Sequence, residues 1–394
     1  KDLNPTPNRL FNIASNIFYG QSVSDINKKT GIDIWFLDRI KNIITVYRDL
    51  LSEESSKSLT NQKLTSLKKL GFSDNQIGEA LDTKWEKIRE LRKKWDILPK
   101  ICQIDTLAGE FPAKTNYLYL SYHRIKDDIE YQKVKQVAII GGGPYQIGSS
   151  VEFDWCAVNC ALTAKKLGFS PIMINCNPET VSTDYDMSDK LYFEELSLER
   201  ILDISDFEKC PFIVSVGGQV PNTLAPKLAK QKVKFLCNKP ETIDLAEDRQ
   251  KFSAFLDKLS INQPAWGRLT DKKQALGFAQ KIGYPVLIRP SYVLSGKAMF
   301  TAYSKGQMEA YLSQDDSIIN PEYPLVISKF IRGAIEVDFD GVADSGKIKV
   351  WALSEHVEHA GVHSGDSTLV LPSFSLSHKS IIVISKISQK IVRT

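Results

Sequence analysis

The chain has 394 residues, of which 42% are hydrophobic and 25% charged, with 22 Gly, 17 Pro and 6 Cys. That balance excludes a disordered chain, a collagen-like repeat and a disulfide scaffold, and the length allows two or three domains. The net charge of +4 falls within residues 1–98, too mild a bias to require a nucleic-acid partner.

No apolar run approaches the ~20 residues that span a bilayer. The opening Lys1–Pro7 is polar and lacks a signal-type apolar stretch, although a chain that opens without Met leaves room for a leader ahead of it. The cysteines (Cys102, Cys156, Cys160, Cys176, Cys210 and Cys237) form no CxxC pair and sit mostly in apolar segments. Reduced, buried thiols in a reducing compartment are expected.

Residues 1–98 read as a small helical domain. Leu10, Ile13, Ala14, Ile17 and Phe18 recur at helical spacing, as do Trp35, Phe36, Ile40, Ile43, Ile44 and Tyr47. Ser73 with Gln76, and Thr83 with Glu86, have capping-box spacing, and Gly20 and Gly71 are placed to close helices. A helix-turn-helix DNA reader is the rival reading. It lacks a recognition stripe, and Arg92-Lys93-Lys94 reads as a solvated helix face. Residues 99–134 read as a connector.

From Lys135 short apolar runs alternate with helices. Strands are predicted at Gln136–Ile140, Pro171–Asn175, Leu191–Phe193, Phe212–Val216 and Val233–Leu236, with helices at Val151–Leu167 and Pro221–Lys230. This α/β alternation over 135–239 predicts a parallel, Rossmann-like sheet. In 240–394 helices at Leu245–Leu259 and Lys272–Ile282 precede strands at Pro285–Ile288, Leu325–Ser328, Glu336–Val342 and Lys347–Leu353. Strands that follow one another directly indicate an α+β domain. The helical pattern Ser377–Val392 runs to Thr394 without a breaker, as though the chain were cut inside this domain.

Five segments bear on chemistry. Gly141–Gly148 follows a strand and precedes a helix, where backbone amides favour anions. It fails as a dinucleotide fingerprint because Gln146 replaces the third glycine, and Asn175 and Asn177 stand where an acidic residue is needed. The polar stretches Ser149–Trp155 and Asn177–Asp184 lie past predicted strand ends. Capping explains Ser149 and Asp184, while the polar groups around Glu152 and Glu179 favour a functional crevice.

Arg289–Lys297 leaves a strand for a Gly/Ser loop; this suits phosphate but serves a hairpin turn equally well, and it is no P-loop. Glu355–Asp366 gathers His356, His359 and His363 with Glu355, Glu358 and Asp366. HExxH spacing is absent and Gly361 and Gly365 imply a bend, so a polar strand end or a nucleotide-contacting loop fits better than a metal cage.

Taken together, Gly142–Trp155 (GGPYQIGSSVEFDW), Asn175–Asp186 (NCNPETVSTDYD), Leu191–Leu202 (LYFEELSLERIL), Arg289–Leu294 (RPSYVL) and Ser354–Asp366 (SEHVEHAGVHSGD) resemble the large subunit of carbamoyl-phosphate synthetase. The resemblance runs from Leu3 to Thr394, over the oligomerisation domain and the first part of the carbamoyl-phosphate-forming half. Ser295 and the SEHVE segment look like the eukaryotic forms; Lys297 and Phe300 depart from bacterial members. It implies a helical oligomerisation domain (1–98), the connector, a pre-ATP-grasp domain (135–239) and an incomplete ATP-grasp domain (240–394).

The implied reaction is phosphorylation of tunnel-delivered carbamate by ATP with Mg2+, Mn2+ being a possible substitute. Arg249 and Arg289 are implied at the ATP phosphates and as the catalytic pair. Leu294, Ser295 and Gly296 match the phosphate loop, Lys329 and Ile331 the adenine hinge, and Glu336 the ribose carboxylate. Gly361, Val362, His363 and Ser364 match a further nucleotide loop, and Glu152 and Glu179 match tunnel positions.

The family's metal ligands, a Gln and a Glu-x-Asn strand, are expected beyond Thr394, so this chain alone is expected to be a poor catalyst. Implied partners are the carbamate or bicarbonate-derived substrate, a glutamine amidotransferase subunit or fused domain, and further copies in an oligomer, with no nucleic acid and no membrane. A metal-free scaffold and another ATP-grasp carboxylase, such as biotin carboxylase, are the alternatives.

Overall fold

The computed structural model describes residues 2–52, 59–112, 115–145, 151–236, 238–290, 299–313, 319, 324–360, 362 and 367–394. The chain divides into two compact units: residues 1–136 with 188–210, and residues 137–187 with 211–394.

The first unit begins with helices α1 (Arg9–Phe18), α2 (Val23–Thr30), α3 (Ile34–Leu50), α4 (Asn61–Lys69), α5 (Asp74–Ala80) and α6 (Trp85–Lys94). Their apolar stripes fill two small cores. Ile13, Ile17, Ile26 and Leu37 form one; Leu50, Leu64, Leu67, Phe72, Ile77, Ile88 and Ile97 form the other. Gly20 and Gly71 both end helices at φ +93°, a conformation that favours glycine. The Ser73–Gln76 capping box forms. The Thr83–Glu86 pair does not, and Lys84 becomes the N-cap of α6. Thr83 is used otherwise: its amide donates to the Gly78 carbonyl at 2.8 Å, closing the preceding helix one residue after Asp82 enters the left-handed region.

Residues 99–134 contribute two strands, β1 (Lys100–Gln103) and β2 (Tyr117–Ser121), paired antiparallel with Ile101 opposite Leu120. Among the described residues of 99–134 only Ile101, Cys102, Leu118 and Leu120 are buried, too brief an apolar signal to separate strand from connector. β2 pairs parallel with β5 (Lys190–Phe193), which leads to α8 (Leu198–Glu208), capped by the Ser197 hydroxyl.

The second unit starts with β3 (Gln136–Ile140), α7 (Val151–Lys166), β4 (Ser170–Asn175), β6 (Phe212–Ile213) and α9 (Gln219–Lys230), with β3 between β4 and β6. Every residue of β3 is buried, the mark of a parallel strand covered on both faces. β6 ends at Ile213, short of Val216, and residues 233–236 contribute only a bridge between Phe212 and Phe235. The chain must turn at Gly217, where a Cβ would meet the Ile140 carbonyl oxygen at 2.3 Å.

The helix expected over 245–259 is two: α10 (Pro240–Glu247) and α11 (Arg249–Lys258). Asp248 is extended (ψ 108°), and its carboxylate accepts the Gln250 and Lys251 amides as the cap of α11. Two antiparallel sheets follow. One has the order β7 (Trp266–Leu269), β10 (Leu325–Lys329), β8 (Val286–Pro290), β9 (Phe300–Ala302). Helices α12 (Lys272–Ile282) and α13 (Lys305–Leu312) share its core through Ala275, Ala279, Met308 and Leu312. The other joins β11 (Ile335–Asp344), β12 (Lys347–His359) and β13 (Leu369–Val370), with α14 (His378–Val392) after it.

Candidate functional site

The break at Asp248 makes Arg249 the first residue of α11, while Arg289 lies on β8, opposite Val326 of β10. Arg289 Nη2 donates to Ser328 Oγ at 3.4 Å, and its buried Nε has no hydrogen-bond partner. Burial lowers the pKa of both guanidiniums, and the charge of Arg249 lowers that of Arg289 further. Two partly buried cations that repel each other, one with an unused donor, make a site that a polyanion would stabilise.

Lys329 ends β10, and its ammonium donates to the carbonyls of Gly283 and Tyr284 at 2.8 and 3.0 Å. Its side chain therefore braces the turn into β8. Ile331 is 53% exposed just beyond. Glu336 lies on β11 where the register to β12 shifts. Val362 is 39% exposed and bridges to Ala360. Leu294, Ser295, Gly296, Gly361, His363 and Ser364 lie outside the described residues. The structure thus sets the charge of Arg249 against that of Arg289.

Glu355, His356 and Glu358 of β12 are committed to the protein itself. His356 is buried, with Nε2 2.9 Å from Asp338 Oδ2. Glu355 accepts the Phe374 and Ser375 amides and the Ser375 hydroxyl; burial opposes its ionisation, but these donors outweigh it and lower the pKa. The Ser367 hydroxyl and then the Thr368 amide hold the Glu358 carboxyl down at about 2. Among the described residues, no group of three or more His, Cys, Asp or Glu could hold a metal ion.

The polar stretches past β3 and β4 do meet. Asn175 Oδ1 accepts the amides of Gly143 and Asn177, and Nδ2 donates to Ser182 Oγ at 3.1 Å. Asp154 Oδ2 accepts the Ser182 amide at 3.0 Å, while its other oxygen is buried without a partner. A Cβ on Gly141 would come within 2.7 Å of Asn175 Nδ2, so glycine lets these strand ends approach. Glu152 and Glu179 stand exposed on this cluster's own segments.

Sequence reasoning missed Asn175, Asp154 and Ser328 as the residues that hold these groups. For Asn175 the available signal was its place at a strand end followed by Asn177 two residues on. Arg92 is a correction: expected on a solvated face, it is wholly buried against Asp74 and Asp203, while Lys93 beside it is exposed.

The antiparallel sheet with its partly buried arginine pair follows a parallel α/β segment. Three models of one family match it nearly end to end. They are the carbamoyl-phosphate synthetase large chain oligomerisation domain over residues 2–96, the carbamoyl phosphate synthase preATP-grasp domain over 133–245, and the carbamoyl-phosphate synthase L chain ATP binding domain over 248–394. The chain belongs to the carbamoyl-phosphate synthase large-chain family.

It is 47% identical to the arginine-specific large chain, mitochondrial, of Schizosaccharomyces pombe, over 99% of this chain and 34% of the relative. It is likewise 47% identical to the mitochondrial carbamoyl-phosphate synthase [ammonia] of Rattus norvegicus, over 99% of this chain and 26% of that one. The chain thus spans about a third or less of these curated relatives. The biotin carboxylase domain of Hydrogenobacter thermophilus 2-oxoglutarate carboxylase shares the fold, with TM-score 0.51 and 18% identity over 67% of this chain and 58% of that domain. No described helix is long and apolar enough to cross a membrane.

Proposed function

We propose that residues 240–394 contribute the nucleotide-binding part of a site where ATP phosphorylates carbamate, giving carbamoyl phosphate and ADP for pyrimidine or arginine and urea biosynthesis. The Arg249–Arg289 pair carries this reading. A carbamate oxygen would attack the γ-phosphorus as the bond to ADP breaks, and two guanidiniums would offset the repulsion between the two anions. Positioning and charge are the chemistry these residues would supply; no covalent intermediate on the protein is required.

In this reading Glu336 accepts from the ribose hydroxyls, and Lys329 and Ile331 flank the adenine. Leu294, Ser295, Gly296, Gly361, Val362, His363 and Ser364 complete the nucleotide contacts by their family match. Glu152 and Glu179 line the carbamate route. Magnesium would accompany ATP, held largely by the phosphates, since the described residues gather no group of three or more His, Cys, Asp or Glu.

The relatives' names support free ammonia as a nitrogen source and a mitochondrial compartment; a glutamine amidotransferase and a cytoplasmic location are the alternatives. Phe11, Trp35 and Phe36 are 71%, 59% and 58% exposed on α1 and α3, which supports self-association through the helical segment.

Titration of the chain with a fluorescent ATP analogue, displaced by ATP, tests the nucleotide reading. Arg289→Met should weaken binding at least tenfold. Absence of ATP-displaceable binding to the unaltered chain at millimolar concentration would sink it.

A further inference from the structure

A dense network of buried ion pairs lies in the first unit, and none of its residues is among those assigned to the nucleotide. Arg92 of α6 is fully buried and forks onto Asp74 of α5 at 2.8 and 2.7 Å. The same guanidinium reaches Asp203 of α8 at 3.3 Å. Arg89, one helical turn earlier, divides its two amino groups between Asp203 and Asp206, each at 2.6 Å. Lys68 of α4 is also buried and bridges Asp74 and Glu199. Glu199 does a second thing: its other oxygen accepts the Asp74 amide at 2.6 Å, so a carboxylate from α8 caps the first turn of α5.

Tyr122 lies under this cluster, with Lys68, Arg92 and Arg200 each 5.4 to 5.8 Å from its ring centre. Its hydroxyl and one Asp203 oxygen are buried without partners. Burial, then the charge of Asp203, raises the tyrosine pKa.

Glu199, Asp203 and Asp206 are spaced four and three apart, so one face of α8 presents three carboxylates. They meet the cations of α4 and α6, and each family model supplies only one side: α4 to α6 fall in the oligomerisation match, α8 in the preATP-grasp match. Buried ion pairs add little over an apolar contact of the same shape, but removing one partner is costly because it strands a charge. An apolar interface could slide; forked guanidinium–carboxylate pairs tolerate one register.

We propose that this network is a charge-specified latch by which helices α4 to α6 hold α8, so that the two family domains share one mechanical unit here and a displacement of the helical segment is carried into α8. The proposal does not depend on nucleotide binding.

Hydrogen exchange followed by mass spectrometry on the full chain tests it. Asp203→Asn should speed exchange at least tenfold in 198–208 and in 74–80 together, leaving 325–329 unchanged. Lys93→Ala, which removes only an exposed partner of Asp206, should change neither. Protection of 198–208 that persists while 74–80 loosens, or no change in either, overturns the latch. If Asp203→Asn loosens the whole chain, the milder Glu199→Gln decides: joint loosening of the two helices supports the latch, and independent behaviour overturns it.

Discussion

Arg249 lowers the proton affinity of Arg289, although the two are held by different elements, the first turn of α11 and strand β8. Their mutual repulsion is a cost to the folded chain that an anion would relieve. Arg249→Met should therefore leave the ligand-free melting temperature unchanged or slightly higher, while abolishing most of the rise produced by ATP. Differential scanning fluorimetry with and without ATP measures both arms; a lower ligand-free melting temperature with an intact ATP response would contradict this account.

Gly217 is set by contact as well as by turning. A methyl there would lie 2.3 Å from the Ile140 carbonyl oxygen and 2.6 Å from the Pro221 ring, and neither belongs to a flexible side chain. Gly217→Ala should destabilise the second unit by roughly 2–3 kcal/mol, in the range of overpacked interiors. Urea unfolding monitored by circular dichroism gives the value.

Asn175 uses both ends of its amide to join three segments. Asn175→Ala would leave two backbone amides without their acceptor and should cost roughly 2–4 kcal/mol. Asn175→Asp keeps the acceptor but loses the donor to Ser182 and adds a charge to the cluster that holds Asp154, so it should not rescue fully. Limited proteolysis within 177–186 should accelerate in both variants, more in the alanine one.

Glu358 has a carboxyl held at about 2 against an ordinary value of 4.5. A carboxylate depressed in the folded state contributes stability above its unfolded pKa and loses it as pH falls through the folded one. The clasp on Ser367 and Thr368 should thus weaken between about pH 4.5 and 2, and Glu358→Gln should remove that dependence. Carboxyl carbon chemical shifts followed from pH 6 to 1.5 report it; a midpoint near the ordinary value would refute the clasp.

Trp35 and Phe36 leave large apolar faces in solvent, and Arg39 stacks over the Trp35 ring at 5.4 Å. The double substitution Trp35→Asp with Phe36→Asp should shift the chain toward monomer in light scattering at micromolar concentration. An unchanged mass would show that other surfaces carry any assembly.

Period and punctuation made most elements legible in the residues alone. The 3.6-residue stripe of α1 and the continuous apolar run of β3 each needed only local chain geometry to be read, as did the Ser73 capping box. The polar stretches Ser149–Trp155 and Asn177–Asp184 pointed to a crevice past two strand ends, and Asp154 of the first does accept the Ser182 amide of the second. The split of one expected helix into α10 and α11 was less legible, because Asp248 is tolerated within a helix and reveals itself as a cap only when two amides turn toward it.

What the tertiary structure alone decided is which charges leave water. Arg92 and Lys93 are adjacent and similar in sequence, yet one is fully buried and the other is 48% exposed along its side chain. Their fates diverge because Arg92 is enclosed by Asp74 of α5 and Asp203 of α8, whereas Lys93 reaches α8 at the exposed Asp206. Arg249 and Arg289 affect each other in the same way: the charge at the start of α11 lowers the proton affinity near the end of β8, because electrostatics acts through space and takes no account of sequence distance.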